Sequence, residues 1–240
     1  MARSRVRDVE GRRARAEAVL AAAADLIERW GYDKTTVDDV ARAAGVAKGT
    51  IYLHWKTRDA LFIAVLRRER VLMLRAVSEG LAAEPMPGPR TLFRLLALAV
   101  LDRPLVRAVL LNDLAVLGKL AGRHRSGTGW RTSFSDYLAT LRSYGALRAD
   151  WDERHQVNLV NATFMGVLTT ASLMPEPMRL SDSEQADLAA ETIARTLLVG
   201  TPADPAAVAR ATAAYFDAAL AVAQGELDES IAPSEGGDSA

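Results

Sequence analysis

The 240-residue chain has no cysteine. That excludes a disulfide framework and all thiolate chemistry, so the fold does not depend on redox compartment. Long apolar runs are missing too: Ala18–Ala24 and Leu95–Val100 fall far short of the about 20 residues a membrane helix needs. The Arg-rich start ahead of Ala18–Ala24 imitates a secretory signal, but Glu17, Asp25 and Glu28 bracket or follow that stretch. A cytoplasmic protein with no membrane partner is therefore expected. Alternating β-branched runs are few, and neither Asn-Gly nor Asp-Gly hairpin turns occur. Histidine is scarce, and His54, His124 and His155 lack metal-ligand spacing. Ser126-Gly127-Thr128-Gly129 lacks the Gly-Lys-Ser/Thr that completes a phosphate-binding loop, and no Gly-x-Ser-x-Gly nucleophile elbow is present. The chain is accordingly read as no enzyme, with no metal and no cofactor.

Net charge is also absent, since 30 basic residues balance 30 acidic ones. The sum hides a distribution. Residues 1–70 hold 15 Lys/Arg against 10 Asp/Glu, a balance of +5, and the remainder carries the compensating −5. Arg3, Arg5, Arg7, Arg12, Arg13 and Arg15 crowd the start, while Glu226, Asp228, Glu229, Glu235 and Asp238 end the chain with no basic residue among them. Such asymmetry fits a basic N-terminal module that meets an anion, attached to an acidic body. A solvated helix face followed by a disordered tail has the same charge pattern.

What is present is helical spacing from end to end, so the expected fold class is all-α with about ten helices. Val19, Ala22, Leu26, Ile27 and Trp30 form one stripe, stopped by Gly31. A short helix from Val37 closes at Gly45, a third fits Lys48–Trp55, and a longer one runs from Arg58 to about Leu81. Pro85, Pro87 and Pro89 interrupt the chain. Further helices are expected over Thr91–Leu101, from Pro104 to about Leu120, over Trp130–Tyr144, and from a capping box at Asp150–Glu153 to about Leu173. A Gly-rich loop is placed at 122–129. A second capping box at Ser181–Glu184 opens a helix to Leu198, and Asp204-Pro205 caps a last one ending near Gln224. Residues 225–240 are expected to be a disordered acidic tail.

Val37 to Trp55 has helix–turn–helix proportions. Ala41 is small where two helices would cross, Gly45 permits positive φ at the turn, and Ile51 anchors the second helix inward. Thr36 is placed to cap the first helix. Lys48, Gly49, Thr50, Tyr52 and His54 then share the exposed face of the second, supplying donors and an aromatic hydroxyl at major-groove depth. On its own this spacing also fits a helix–helix corner that touches no DNA.

Residues 15–62 carry Arg15-x-x-x-Val-Leu-x-Ala-Ala, Trp30-Gly31-Tyr32, Thr35-Thr36-Val37-x-Asp39-Val40-Ala41, Ala44-Gly45-Val46-x-Lys48-Gly49-Thr50-Ile51-Tyr52 and Trp55-Lys56-x-Arg58-x-x-Leu61. In these motifs the chain closely resembles the N-terminal domain of TetR-family transcriptional regulators. The resemblance implies an all-helical dimer, usually a repressor released by a small ligand, and names no ligand because the family's C-terminal domain varies. It implies nine helices, with one extra here after Leu198. It gives Lys48, Gly49, Thr50, Tyr52 and His54 contacts to bases and nearby phosphates, Thr35 and Thr36 contacts to phosphate, and Arg58 a grip on backbone phosphate at a helix N-terminus. Trp55 departs from the usual phenylalanine, and Leu53 and His54 form a variable pair. Arg3, Arg5 and Arg7 are candidates for an arm that reaches DNA.

Three domains are thus expected: a helix–turn–helix DNA-binding domain at 1–60, a ligand-binding and dimerisation domain at 61–224, and the tail. Candidate lining residues of a ligand cavity are Phe93, Asn112, Trp130, Phe134, Trp151, His155, Asn158, Asn161, Phe164 and Met165, with Leu96 and Tyr137 beside them. Asn158 and Asn161 stand out as two amides at i and i+3 on an otherwise apolar helix. Helices near 152–173 and 181–198 are expected to pair with their copies in a homodimer, where Gly166 and Ala171 permit close crossing. The expected partners are an operator in double-stranded DNA and an unknown small-molecule effector. The rival readings are a helical ligand- or partner-binding protein that does not use the motif, and an activator with the same DNA-binding domain.

Overall fold

Helix-forming periodicity and strong punctuation by Pro, Gly and capping side chains leave the chain few alternatives to stacked helices. The computed structural model describes residues 2–120, 128–170, 173–199, 202 and 204–232, with side chains for all of these except 2–10, 120 and 128–133. The described residues form α1 (Ala2–Trp30), α2 (Val37–Ala44), α3 (Lys48–His54), α4 (Arg58–Ala82), α5 (Pro89–Leu101), α6 (Pro104–Leu111), α7 (Leu114–Leu117), α8 (Thr128–Ser143), α9 (Glu153–Thr170), α10 (Asp182–Leu197) and α11 (Pro205–Ile231). One isolated antiparallel bridge joins Leu147 to Leu198. The all-α expectation holds, with eleven helices among the described residues.

Two units divide these elements. The first takes Met1–Val71, Asn112–Arg125 and Ala223–Ala240; the second takes Leu72–Leu111 and Ser126–Val222. The helices α4 and α11 therefore each contribute to both.

In the first unit α1 packs on α2 and α3. Its inward stripe, Ala16, Val19, Leu20, Ala23 and Ile27, meets a core that also holds Val40, Ile51, Leu61, Phe62 and Val65. Arg68 ties α4 to α1, donating to Glu17 and, at 2.6 Å, to the buried Glu69 carboxylate. Gly31 ends α1 at φ +78, and a Cβ there would meet the Ala115 carbonyl oxygen at 2.8 Å, while the next amide, that of Tyr32, donates to Val116 O at 2.9 Å. Gly31→Ala is therefore expected to cost about 1–3 kcal/mol, from the left-handed backbone plus the clash. Urea unfolding checks this, and an unchanged midpoint would refute it.

In the second unit α10 lies along α5 and α9. Arg90 to Glu191 at 2.9 Å and Arg94 to Asp187 at 2.7 Å bind α5 to α10. The capping box expected at Ser181 and Glu184 is formed, and Asp204 caps α11 through the Ala207 amide at 2.9 Å.

α1 begins at Ala2, so Arg3, Arg5 and Arg7 lie on helical backbone, and their side chains fall outside the description. Three expectations about element boundaries are corrected. The helix expected from Pro104 to Leu120 breaks at Asn112, which adopts φ +52 before Asp113 caps α7 through the amides of Ala115 and Val116. Asp150 is held by Arg148, leaving Asp152 to cap α9 through the His155 amide at 3.0 Å. α11 continues past Gln224 to Ile231, so residues 225–231 are helix rather than tail; residues 233–240 lie outside the described residues. The Gly-rich loop expected at 122–129 lies outside them up to residue 127. α11 is also long and apolar enough, by length and composition, to cross a membrane. Its buried Val208, Thr212, Phe216 and Leu227 and its exposed Arg210, Asp217 and Asp228 instead give it the two faces of a packed helix.

Candidate nucleic-acid interface

The helix–turn–helix is built from local signals. Thr36 accepts from the Asp39 amide at 3.2 Å, and the Asp39 carboxylate answers with bonds from the Thr36 hydroxyl at 2.6 Å and amide at 3.3 Å, a closed capping box at the head of α2. Those bonds, the hydroxyl's foremost, hold the Asp39 carboxyl below its ordinary 3.8. Gly45 takes φ +66 at the turn, its amide bonding Arg42 O while the Val46 amide reaches back to Ala41 O at 3.0 Å. Three residues later α3 begins. Thr57 starts α4 in the same way as Thr36, accepting from the Ala60 amide at 3.1 Å.

This arrangement divides α3 by face. Ile51 and the following Trp55 are buried, while Lys48, Gly49, Tyr52 and Leu53 are exposed and Thr50 is partly so. The Lys48 ammonium lies 2.8 Å from the Asp38 carboxylate, and that hydrogen bond raises it above its ordinary 10.5. Both partners are about half exposed, so the pair is weak and a phosphate or base edge can displace the carboxylate. Thr36 is exposed as well.

Three sequence-predicted contacts are turned elsewhere. Thr35 is fully buried, and its hydroxyl donates to Gly31 O at 2.9 Å. Arg58 donates to the carbonyls of Thr35, at 3.1 Å, and Tyr32, with its guanidinium 4.0 Å from the Tyr32 ring centre. It braces the loop before α2 instead of presenting its fork to solvent. His54 is half-buried, with Nδ1 3.1 Å from the carbonyl of Ile231 at the end of α11. Two further lysines are exposed beside the motif: Lys34, before α2, and Lys56, after α3. The available signal was a basic residue in the loop on either side of the motif.

The cavity candidates do not converge. A cavity of about 210 Å³ in the second unit is lined by Ser78, Leu81, Glu84, Pro87, Ala213 and Asp217, and by none of the candidates whose side chains are described. Phe93 and Phe164 meet edge-on at 6.3 Å as core, and Phe134 packs against Tyr137 and Tyr215. Burial in that cluster pushes the Tyr137 phenol well up, and it bonds the Thr212 hydroxyl at 3.0 Å. Asn112 is an exposed turn residue of the first unit. Asn158 and Asn161 back-bond to Arg154 O and Val157 O of their own helix rather than facing a pocket. His155 is exposed on Asp152, Trp151 lies under Arg148, Met165 is half-buried, and the Trp130 side chain falls outside the description. The buried amide on α9 is Gln156, whose NH₂ donates to Arg148 O and Trp151 O at 3.2 Å each. Its place in the sequence, one polar residue at core spacing, was the missed signal. Among the described residues no group of three or more His, Asp or Glu is placed to hold a metal.

Residues 19–65 match the family of bacterial regulatory proteins, tetR family. The chain is 38% identical over 69 residues to the HTH-type transcriptional repressor Rv1474c of Mycobacterium tuberculosis, a match covering 28% of this chain and 37% of that protein. The chain thus spans about a third of the length of the curated relatives it matches. The fold extends further. A TetR-family regulator from Rhodococcus superposes with TM-score 0.57 at 23% identity, over 75% of this chain and 97% of that one. SmeT, in its complex with triclosan, superposes with TM-score 0.51 at 17% identity, over 80% and 96%. The motif geometry and the matched segment agree: residues 19–65 are similar to the tetR family of bacterial regulatory proteins, and the chain as a whole shares the fold of these solved structures.

Proposed function

We propose that the chain is a transcriptional regulator, a repressor, that binds a pseudo-palindromic operator as a homodimer and releases it when a small molecule binds the body. The observation that carries this is the division of α3, with Ile51 and Trp55 inward and Lys48, Gly49, Tyr52 and Leu53 outward. A helix–helix corner serving only structure has no need to hold a Tyr and a Lys clear of the core. Lys48, Gly49, Thr50 and Tyr52 are assigned to base edges and adjacent phosphates, and Thr36, Lys34 and Lys56 to phosphate. Thr35 and Arg58 are assigned to positioning. Rv1474c is itself named a repressor, which favours repression over activation, and the regulator names of the relatives favour no catalytic activity. The assigned place of work is the cytoplasm, where the operator is.

For the dimer, α9, α10 and the segment that joins them supply the face; Leu188 on α10 and Leu173, Met178 and Leu180 in that segment are exposed apolar residues that a second copy would cover. For the effector, SmeT carries triclosan on the same fold, which supports a small-molecule class without naming one. An effector changes DNA affinity only if it binds one arrangement of the protein better than the other.

Gel shift with the duplex upstream of the protein's own gene tests the reading. Salt-sensitive, sequence-preferring binding is expected, with Lys48→Ala and Tyr52→Ala each weakening it by about 1–3 kcal/mol. Full affinity in both variants would mean that α3 does not read the DNA. An operator complex indifferent to every compound that raises the protein's Tm would overturn the switch.

A further inference from the structure

The end of α11 lies on the DNA-binding unit and takes up several of its polar groups. Ile231 is the last helical residue, so its carbonyl is among those a helix leaves unpaired and sits at the negative end of the dipole. It lies 3.1 Å from Nδ1 of His54, the last residue of α3. A carbonyl can only accept, so Nδ1 carries the proton there. Just before Ile231, Arg67 donates to Ser230 Oγ and, at 3.1 Å, to Glu226 O, and Arg70 holds the Glu226 carboxylate at 2.8 Å. Asp228 pairs with Arg13 of α1 at 2.8 Å. Ala223 and Leu227 are buried, so this segment is packed as well as paired.

We propose that residues 223–231 are an intramolecular clasp that restrains DNA binding. The clasp occupies a donor at the C-terminal end of the recognition helix with a carbonyl in place of a phosphate oxygen, and it sets two carboxylates against the cations of the basic unit. Each exposed ion pair is weak by itself. Together with the buried Leu227 they hold α11 on the basic unit, and at His54 docking of α11 and binding of DNA become alternatives for the same donor. The inference rests on the reading of α3 as a DNA-binding helix.

The full-length chain and three variants test it, with a random-sequence duplex and the upstream duplex as probes at low and high salt. Glu226→Gln with Asp228→Asn removes the paired carboxylates. Ser230→Pro disrupts the last turn without changing charge. Glu229→Gln removes an exposed charge from the same turn. The first two are expected to bind DNA about 3- to 10-fold more tightly at low salt, with Glu229→Gln close to wild type. By reciprocity, saturating duplex should speed hydrogen exchange of the 228–232 amides by a similar factor. An equal gain in Glu229→Gln, with none in Ser230→Pro, would reduce the effect to net charge and overturn the clasp. Weaker binding in Ser230→Pro would overturn it too, making the segment a brace that DNA binding needs. If the wild type binds duplex and neither altered chain binds more tightly, the clasp alone falls; if no chain binds duplex, the DNA-binding reading falls with it.

Discussion

Arg58→Ala is expected to lower stability by about 2–4 kcal/mol, because it strips charge-assisted bonds from two loop carbonyls and removes a guanidinium stacked on an aromatic ring. The carbonyls are those of Tyr32 and Thr35, and the ring is that of Tyr32, which itself donates to Asp59 and meets Phe62 edge-on at 5.0 Å. Arg58→Lys separates this role from a phosphate grip. A lysine keeps the charge a phosphate needs but lacks the planar fork that reaches both carbonyls. It should therefore lose about 1–3 kcal/mol of stability. Urea unfolding of both variants is the measurement, with duplex binding read under conditions where each is folded. Wild-type stability in Arg58→Ala would return the residue to the phosphate backbone.

Trp55→Ala should cost about 3–5 kcal/mol, the loss of a large buried side chain with incomplete collapse of the site. Trp55 is only 2% exposed. Trp55→Phe should behave differently. The indole N–H has no hydrogen-bond partner among the described residues, and a buried unmatched donor costs about 1–3 kcal/mol that a phenyl ring does not incur. That gain offsets the lost volume, so Trp55→Phe is expected within about 1 kcal/mol of wild type. A loss as large as that of the alanine variant would show that the indole's shape outweighs its unmet N–H.

The sequence made the motif legible because every instruction for it is local. Thr36 and Asp39 close a box over three residues, Gly45 provides the one positive φ the turn needs, and Ile51 and Trp55 recur at helical spacing. Ser181 and Glu184 repeat that logic at α10. The split between α6 and α7 escaped because Asn112, not a glycine, takes the left-handed turn. The length of α11 escaped because Glu226, Asp228 and Glu229 have a solvated composition, while the arginines that hold two of them lie more than 150 residues away. Aromatic and amide residues on apolar helices are ligand candidates by sequence pattern alone. Phe93, Phe134 and Phe164 fill core, and Asn158 and Asn161 satisfy themselves on their own helix turns, an outcome period alone does not distinguish from a pocket.

The sequence by itself determined the all-helical class, the place of the helix–turn–helix and the exposed face of α3, since burial periodicity and capping act over a few residues. Tertiary structure decided which polar side chains of that domain are available to a ligand. Arg58 is spent on a carbonyl 23 residues back, and His54 on one 177 residues ahead. The zero net charge was likewise resolved in space: part of the acidic excess returns along α11 onto the basic unit it balances. A side chain's partner is set by which segments the core brings together, and no local pattern encodes that.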